Sequence, residues 1–184
     1  MTPPGLLRTA GTQRETGPPD TTESRTPAVS RAAQLMRAGI LCGVIDGLWA
    51  VVLTLVYGRT VLGLFQGIAS TVFGPRMFEA GVPSALLGPA MHFAVAFTWS
   101  AVFLAQVARS PWLRRLLAKR KGVLAVAAVF GPVIWLVMSA GVIPLLTGRP
   151  VSITLRWWVQ LVGHVVFVGL PIVGSIARDE GRRK

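Results

Sequence analysis

The sequence predicts an all-α membrane protein: a four-transmembrane-helix bundle with a short external amphipathic helix between spans 1 and 2. Three observations carry this expectation. Hydrophobic residues make up 52% of the 184 positions, and the mean hydropathy of +0.59 is too high for a water-soluble fold of that size. The apolar residues gather in four stretches, each at or above the roughly 20 residues a helix needs to cross the hydrocarbon layer. Basic residues are concentrated in alternate connections between those stretches. A bilayer interior offers unpaired N–H and C=O groups no water, so helices are the economical form, and the alternation that marks a transmembrane barrel is absent.

Residues 1–34 read as a disordered tail of Pro, Thr, Gly and scattered charge, without the apolar region near the start that a signal peptide needs. The first span, residues 35–57, is therefore expected to serve as its own uncleaved membrane signal. In residues 60–74, Val61, Leu62, Leu64, Phe65, Ile68, Ala69, Val72 and Phe73 recur at the spacing of one helical face. Gly63, Gln66, Gly67, Ser70 and Thr71 fall opposite. About 21 Å of helix is too short to cross, so the segment either lies on the membrane surface or re-enters to cap the mouth of the bundle. A turn-rich link from Gly74 to Pro83 sets Glu79 three residues after Arg76, where an exposed pair is worth about 0–1 kcal/mol. Residues 84–107, 122–146 and 153–177 supply the remaining spans, and 178–184 a second tail. Pro132 and Pro171 should kink or loosen the third and fourth spans.

A net charge of +12 resembles a nucleic-acid signature until its distribution is examined. Five basic residues lie before or at the start of the first span (Arg8, Arg14, Arg25, Arg31, Arg37). Six lie between spans two and three (Arg109, Arg114, Arg115, Lys119, Arg120, Lys121), and four follow the fourth. Only Arg59, Arg76, Arg149 and Arg156 belong to the other side. An even number of spans places both termini and the middle connection together, and the positive-inside rule assigns them to the cytoplasm. The acid-free 109–121 loop is expected to attract anionic lipid headgroups at about 1 kcal/mol per residue close to the surface. No nucleic-acid partner is expected, since the loop is short and Trp112 fits an interfacial belt. Tyr57, Trp157 and Trp158 form the belt at the opposite boundary.

Asp46 is the one acid within the four predicted spans. A charged carboxylate at a helix centre costs roughly 2.5–3.5 kcal/mol, so it calls for a partner or a task. Gly39, Gly43 and Gly47 recur every fourth residue beside it and predict close helix packing, inside the bundle or between copies in a homo-oligomer. Counting from the far end, Asp46 lies about 11 residues down, His92 about 8 and His164 about 11, within roughly 5 Å of one depth. Gln160 is one turn from His164 on the same face, and Ser139, Trp49, Trp99 and Trp135 are further hydrogen-bonding candidates.

Three readings of this cluster follow. The polar groups bond neighbouring helices, at about 0.6 kcal/mol each, and fix helix register. Alternatively they exchange a proton across the bundle, as intramembrane relays do. Two imidazoles and a carboxylate also have the chemistry of a metal site, though no HExxH or similar spacing supports one and no metal or other cofactor is expected. The lone cysteine, Cys42, excludes an intrachain disulfide and a thiolate cluster and reads as packing. No nucleophile elbow, P-loop or dinucleotide fingerprint occurs, and no catalytic residue is assigned. The leading expectation is a structural or accessory membrane protein. A small transporter or proton-coupled permease working as a homo-oligomer comes second, and a membrane-embedded metal-dependent enzyme third.

The string of local motifs resembles a family of uncharacterised bacterial four-span inner-membrane proteins. The matching residues are Ala38-Gly39 through Asp46-Gly47, Phe65-Gln66-Gly67-Ile68-Ala69-Ser70, Gly88 with His92-Phe93, Met138 with Val142-Ile143-Pro144, and Val168-Gly169-Leu170-Pro171-Ile172. They cover about residues 38 to 178. Family members typically carry Asn after the methionine of the third span, where this chain has Ser139. The resemblance implies four spans and a bacterial cytoplasmic-membrane location, and it brings no substrate. A looser similarity is to YagU-like membrane proteins, linked with acid stress.

Overall fold

The structure, a computed structural model, describes residues 30–181, and every regular element among them is helical. The order is α1 (Arg31–Val56), α2 (Val61–Phe73), a 3-10 turn (Pro75–Phe78), α3 (Gly81–Arg109) and α4 (Pro111–Leu117). Then come α5 (Arg120–Leu136), a π turn (Val137–Val142) and α6 (Ile143–Thr147). The last span is α7 (Leu155–His164), a second π turn (Val165–Gly169) and α8 (Leu170–Gly181). Four helical runs are long and apolar enough to cross a membrane: Arg31–Val56, Gly81–Arg109, Arg120–Thr147 and Leu155–Gly181.

Local chemistry accounts for the boundaries. Ser30, Thr60, Ser110 and Thr154 each precede a helix and accept a hydrogen bond from the N–H of Ala33, Gly63, Leu113 and Trp157 respectively. Each satisfies a donor the first turn would otherwise leave open. Gly148 ends α6 at φ 66°, a left-handed conformation that favours glycine.

The first and last helices extend beyond the expected spans. Helix α1 begins at Arg31 rather than residue 35, and α8 continues to Gly181 rather than stopping at 177. Ion pairs stabilise both extensions: Arg31 to Glu180 at 2.8 Å, and Arg37 to Asp179, whose carboxylate is fully buried. These pairs bring the two described chain ends to one end of the bundle. The expected disorder of residues 1–29, and the end of the tail at 182–184, lie outside the described residues.

The 109–121 connection is helical rather than a loop, and α4 occupies most of it. Arg114 donates through Nη1 to the main-chain oxygens of Val107 and Ala108, each at 2.9 Å, closing the last turn of α3. Trp112 is 70% exposed beside it. At the far end the expected Arg76–Glu79 pair is replaced by a bond from Arg76 Nε to the Phe73 carbonyl at 3.2 Å, which caps α2 instead.

Helix α2 packs against the start of α3. Gln66 Nε2 donates to the Gly81 oxygen at 3.2 Å and to Ser84 Oγ at 3.4 Å. Gln66 and Ala69 are therefore buried, while Leu62, Val72 and Phe73 point outward. Gln66 from its polar side and Ala69 from its apolar side are thus both buried, and α3 approaches closely where Gly88 meets the Phe65 backbone.

Each π turn ends two residues before a proline, Val142 before Pro144 and Gly169 before Pro171. Proline lacks an N–H and its ring crowds the carbonyl four residues earlier; a wider turn removes that conflict. Around Pro132 the backbone stays α-helical, so the loosening expected there occurs instead between Val137 and Val142. Pro89 is a further in-helix proline, within α3.

The core lies among α3, α5 and the fourth span, where Phe103, Phe130, Ile134, Val168, Ile172 and Ile176 are buried. Leu48, Val56, Leu86, Val129, Leu145 and Val162 are exposed outside it, an apolar surface suited to lipid. The chain is a multi-span helical membrane protein with polar side chains inside its bundle.

Candidate functional site

The side chains of Asp46, His92 and His164, from three different spans, line one cavity of about 90 Å³. Asp46 Oδ2 lies 4.0 Å from His92 Nε2, and both side chains are largely buried. His164 is 8% exposed. Both imidazoles are near enough to act electrostatically on Asp46.

His92 comes from α3 and reaches α1. Its Nε2 stands 3.0 Å from the Gly43 main-chain oxygen. A carbonyl can only accept, so Nε2 carries the hydrogen, and in the neutral ring Nδ1 keeps its lone pair. His164 has the opposite assignment: Nδ1 donates to the Gln160 main-chain oxygen at 2.7 Å, leaving Nε2 as the free acceptor. The indole of Trp135 covers the His164 ring, with centroids 4.8 Å apart.

The glycine face of α1 makes this reach possible, in a way that differs from expectation. Gly39 and Gly43 receive the rings of Phe97 and Phe93 rather than a neighbouring backbone, and a Cβ at Gly47 would stand 3.4 Å from His92 Nε2. Close main-chain approaches occur elsewhere. A side chain at Gly88 would meet the Phe65 backbone, and one at Gly131 the backbone of His164. The second of these seats α5 directly against the turn that carries His164.

Two of the other candidates stand apart from the cavity. Gln160 Oε1 accepts from Trp49 Nε1 at 2.9 Å, tying α7 to α1, while Trp49 also stacks on Phe167 at 4.4 Å. Ser139 is buried in the first π turn, its hydroxyl without a hydrogen-bond partner. The cavity wall includes Cys42, Trp99, Trp135 and Met138, of which Cys42 was read only as packing. Cys42 precedes Asp46 by four residues, a spacing that shares a helix face and points to its place on the cavity wall.

Size limits the chemistry. A water needs roughly 10–15 Å³ of such volume, whereas organic ligands occupy pockets of about 300–1,000 Å³. A cavity of about 90 Å³ therefore has room for several waters and none for a sizeable organic substrate in this conformation. Among the described residues, no group of three or more His, Cys, Asp or Glu side chains is arranged to hold a metal ion. Comparison with protein-family models, with curated proteins and with solved structures found no match.

Proposed function

We propose that the chain is a structural or accessory protein of a bacterial cytoplasmic membrane, in which the buried Asp–His cluster holds the spans in register. One observation carries this reading: the His92 N–H donates to Gly43 across the α1–α3 contact, with the Asp46 carboxylate 4.0 Å from the same nitrogen. In hydrocarbon the alternative to such a bond is an unsatisfied polar group. The excess of basic residues around the termini and the 109–121 segment supports a cytoplasmic placement of that end and contact with anionic headgroups. The resemblance to bacterial four-span inner-membrane proteins supports the location.

A second reading is a small proton-coupled permease working as a homo-oligomer. It is favoured by the cavity itself, where a carboxylate and two imidazoles with one free lone pair each surround space for water. Reconstitution separates the two. A structural role predicts that Asp46→Asn lowers the thermal midpoint while liposomes holding either protein keep an imposed pH gradient equally well. Dissipation of the gradient by the wild type, lost in Asp46→Asn protein that still folds, would instead establish proton handling.

A further inference from the structure

A second cleft, of about 530 Å³, opens at the end of the bundle opposite the described chain ends, between the end of α1, helix α2 and the start of α7. Arg59, Thr60, Thr71, Thr54, Ile143 and Arg156 are among its lining residues. Among the described residues, no carboxylate pairs with either arginine. Arg156 is held in place by the Tyr57 ring, its Cζ 5.3 Å from the centroid. Thr54 is 1% exposed, and its buried hydroxyl has no hydrogen-bond partner. A buried hydroxyl without a partner is costly unless something outside the protein completes it.

We propose that this cleft binds a phosphate-bearing ligand. Two guanidinium groups offer planar forks of donors, which match phosphate oxygens geometrically and electrostatically. Arg59 and Thr60 also stand at the N-terminus of the 13-residue α2, where the helix dipole favours an anion. The Thr54 and Thr60 hydroxyls add donors beyond what a carboxylate's two oxygens would use, while the Thr71 hydroxyl already donates to the Gly67 oxygen at 3.3 Å. Leu64, Ile68 and Ile143 give the same cleft an apolar wall. Phosphate is common to an anionic lipid headgroup and to a free phosphate ester, and the two sources separate experimentally.

Full-length protein in detergent is offered equal phosphatidylglycerol and phosphatidylcholine, and retained lipid is read by native mass spectrometry. In parallel, inorganic phosphate is titrated against chloride at constant ionic strength while the thermal midpoint is followed. Arg59→Gln and Arg156→Gln are each expected to weaken retention or the phosphate response about tenfold, the loss of one charge-assisted hydrogen bond. Arg59→Lys should recover part of it, Thr54→Val should weaken it less, and Arg149→Gln, at the same end but outside the cleft, should change nothing. Selective lipid retention without a phosphate response assigns a headgroup site; a response to inorganic phosphate assigns a free phosphate ester; both support the cleft. Equal behaviour of wild type, Arg59→Gln and Arg156→Gln in both arms overturns the proposal. Arg59 is exposed, so its replacement leaves the packing intact and the comparison interpretable.

Discussion

His92 bonds through Nε2 to the main-chain oxygen of Gly43 at 3.0 Å, across the contact between α1 and α3. Intramembrane hydrogen bonds average about 0.6 kcal/mol and reach about 1.7. His92→Phe, which fills similar space without the donor, is expected to destabilise the protein within that range, measured by unfolding in detergent. An unchanged midpoint would mean that the bond does not hold the two helices.

Gly131 and Gly174 should respond to alanine with opposite signs. A Cβ at Gly131 would run into the main chain at His164, which cannot move aside as a side chain can, while nothing lies within 4 Å of the corresponding position at Gly174. Gly131→Ala should cost about 1–3 kcal/mol, the range for overpacking. Gly174→Ala should be neutral or stabilising by up to about 1 kcal/mol through helix propensity. Equal effects would contradict the described seating of α5 on the fourth span.

Trp49 and Gln160 link the first and last spans through a 2.9 Å bond. A double-mutant cycle with Trp49→Phe and Gln160→Leu should return a coupling of about 0.6–1.7 kcal/mol. Phenylalanine retains a ring to stack on Phe167, so the cycle isolates the hydrogen bond. Additive single effects would refute the contact.

Asp179 is fully buried and Arg37 is its ion-pair partner. Asp179→Asn strands the guanidinium, and Arg37→Met strands the carboxylate; either should cost about 3 kcal/mol or more. Replacing both, with Arg37→Met and Asp179→Leu, should recover much of that loss. Thermal unfolding of the three variants provides the measurement, and a double variant as unstable as the sum of the singles would disprove the pairing.

Span number, the existence of α2 and the common depth of Asp46, His92 and His164 were legible because hydropathy and a 1.5 Å rise per residue are local properties. What depth cannot give is rotation about each helix axis. Cys42 packs in the core as expected, but its further place on the cavity wall depends on that rotation, as does the turn of the Gln160 amide away from His164 toward Trp49. The glycines of α1 announced a close contact without revealing that aromatic rings would fill it. The first and last helices run past the expected spans where the stabilising partner is distant in sequence: nothing near Arg37 foretells Asp179. For α2 the amphipathic spacing is evident, but the burial of Gln66 rests on Gly81 and Ser84, which it meets only across the turn.

The wide turn at Val165–Gly169 has a geometric consequence for the last span. One additional residue within a turn offsets everything beyond it by about 100° relative to an uninterrupted α-helix. The span is thus two rods in tandem with separately set azimuths, His164 aimed at the cavity by the first, Ile172 and Ile176 aimed at the core by the second. Removing one residue from 165–169 would take out that extra residue and fuse the rods into one α-helix, with Ile172, Ile176 and Asp179 still on their targets. Straightening the turn with every residue retained would instead swing all three away together. A one-residue deletion within Leu155–His164, where no wide turn absorbs it, rotates the first rod against the second and so parts the cavity from the apolar core and the Arg37 clasp.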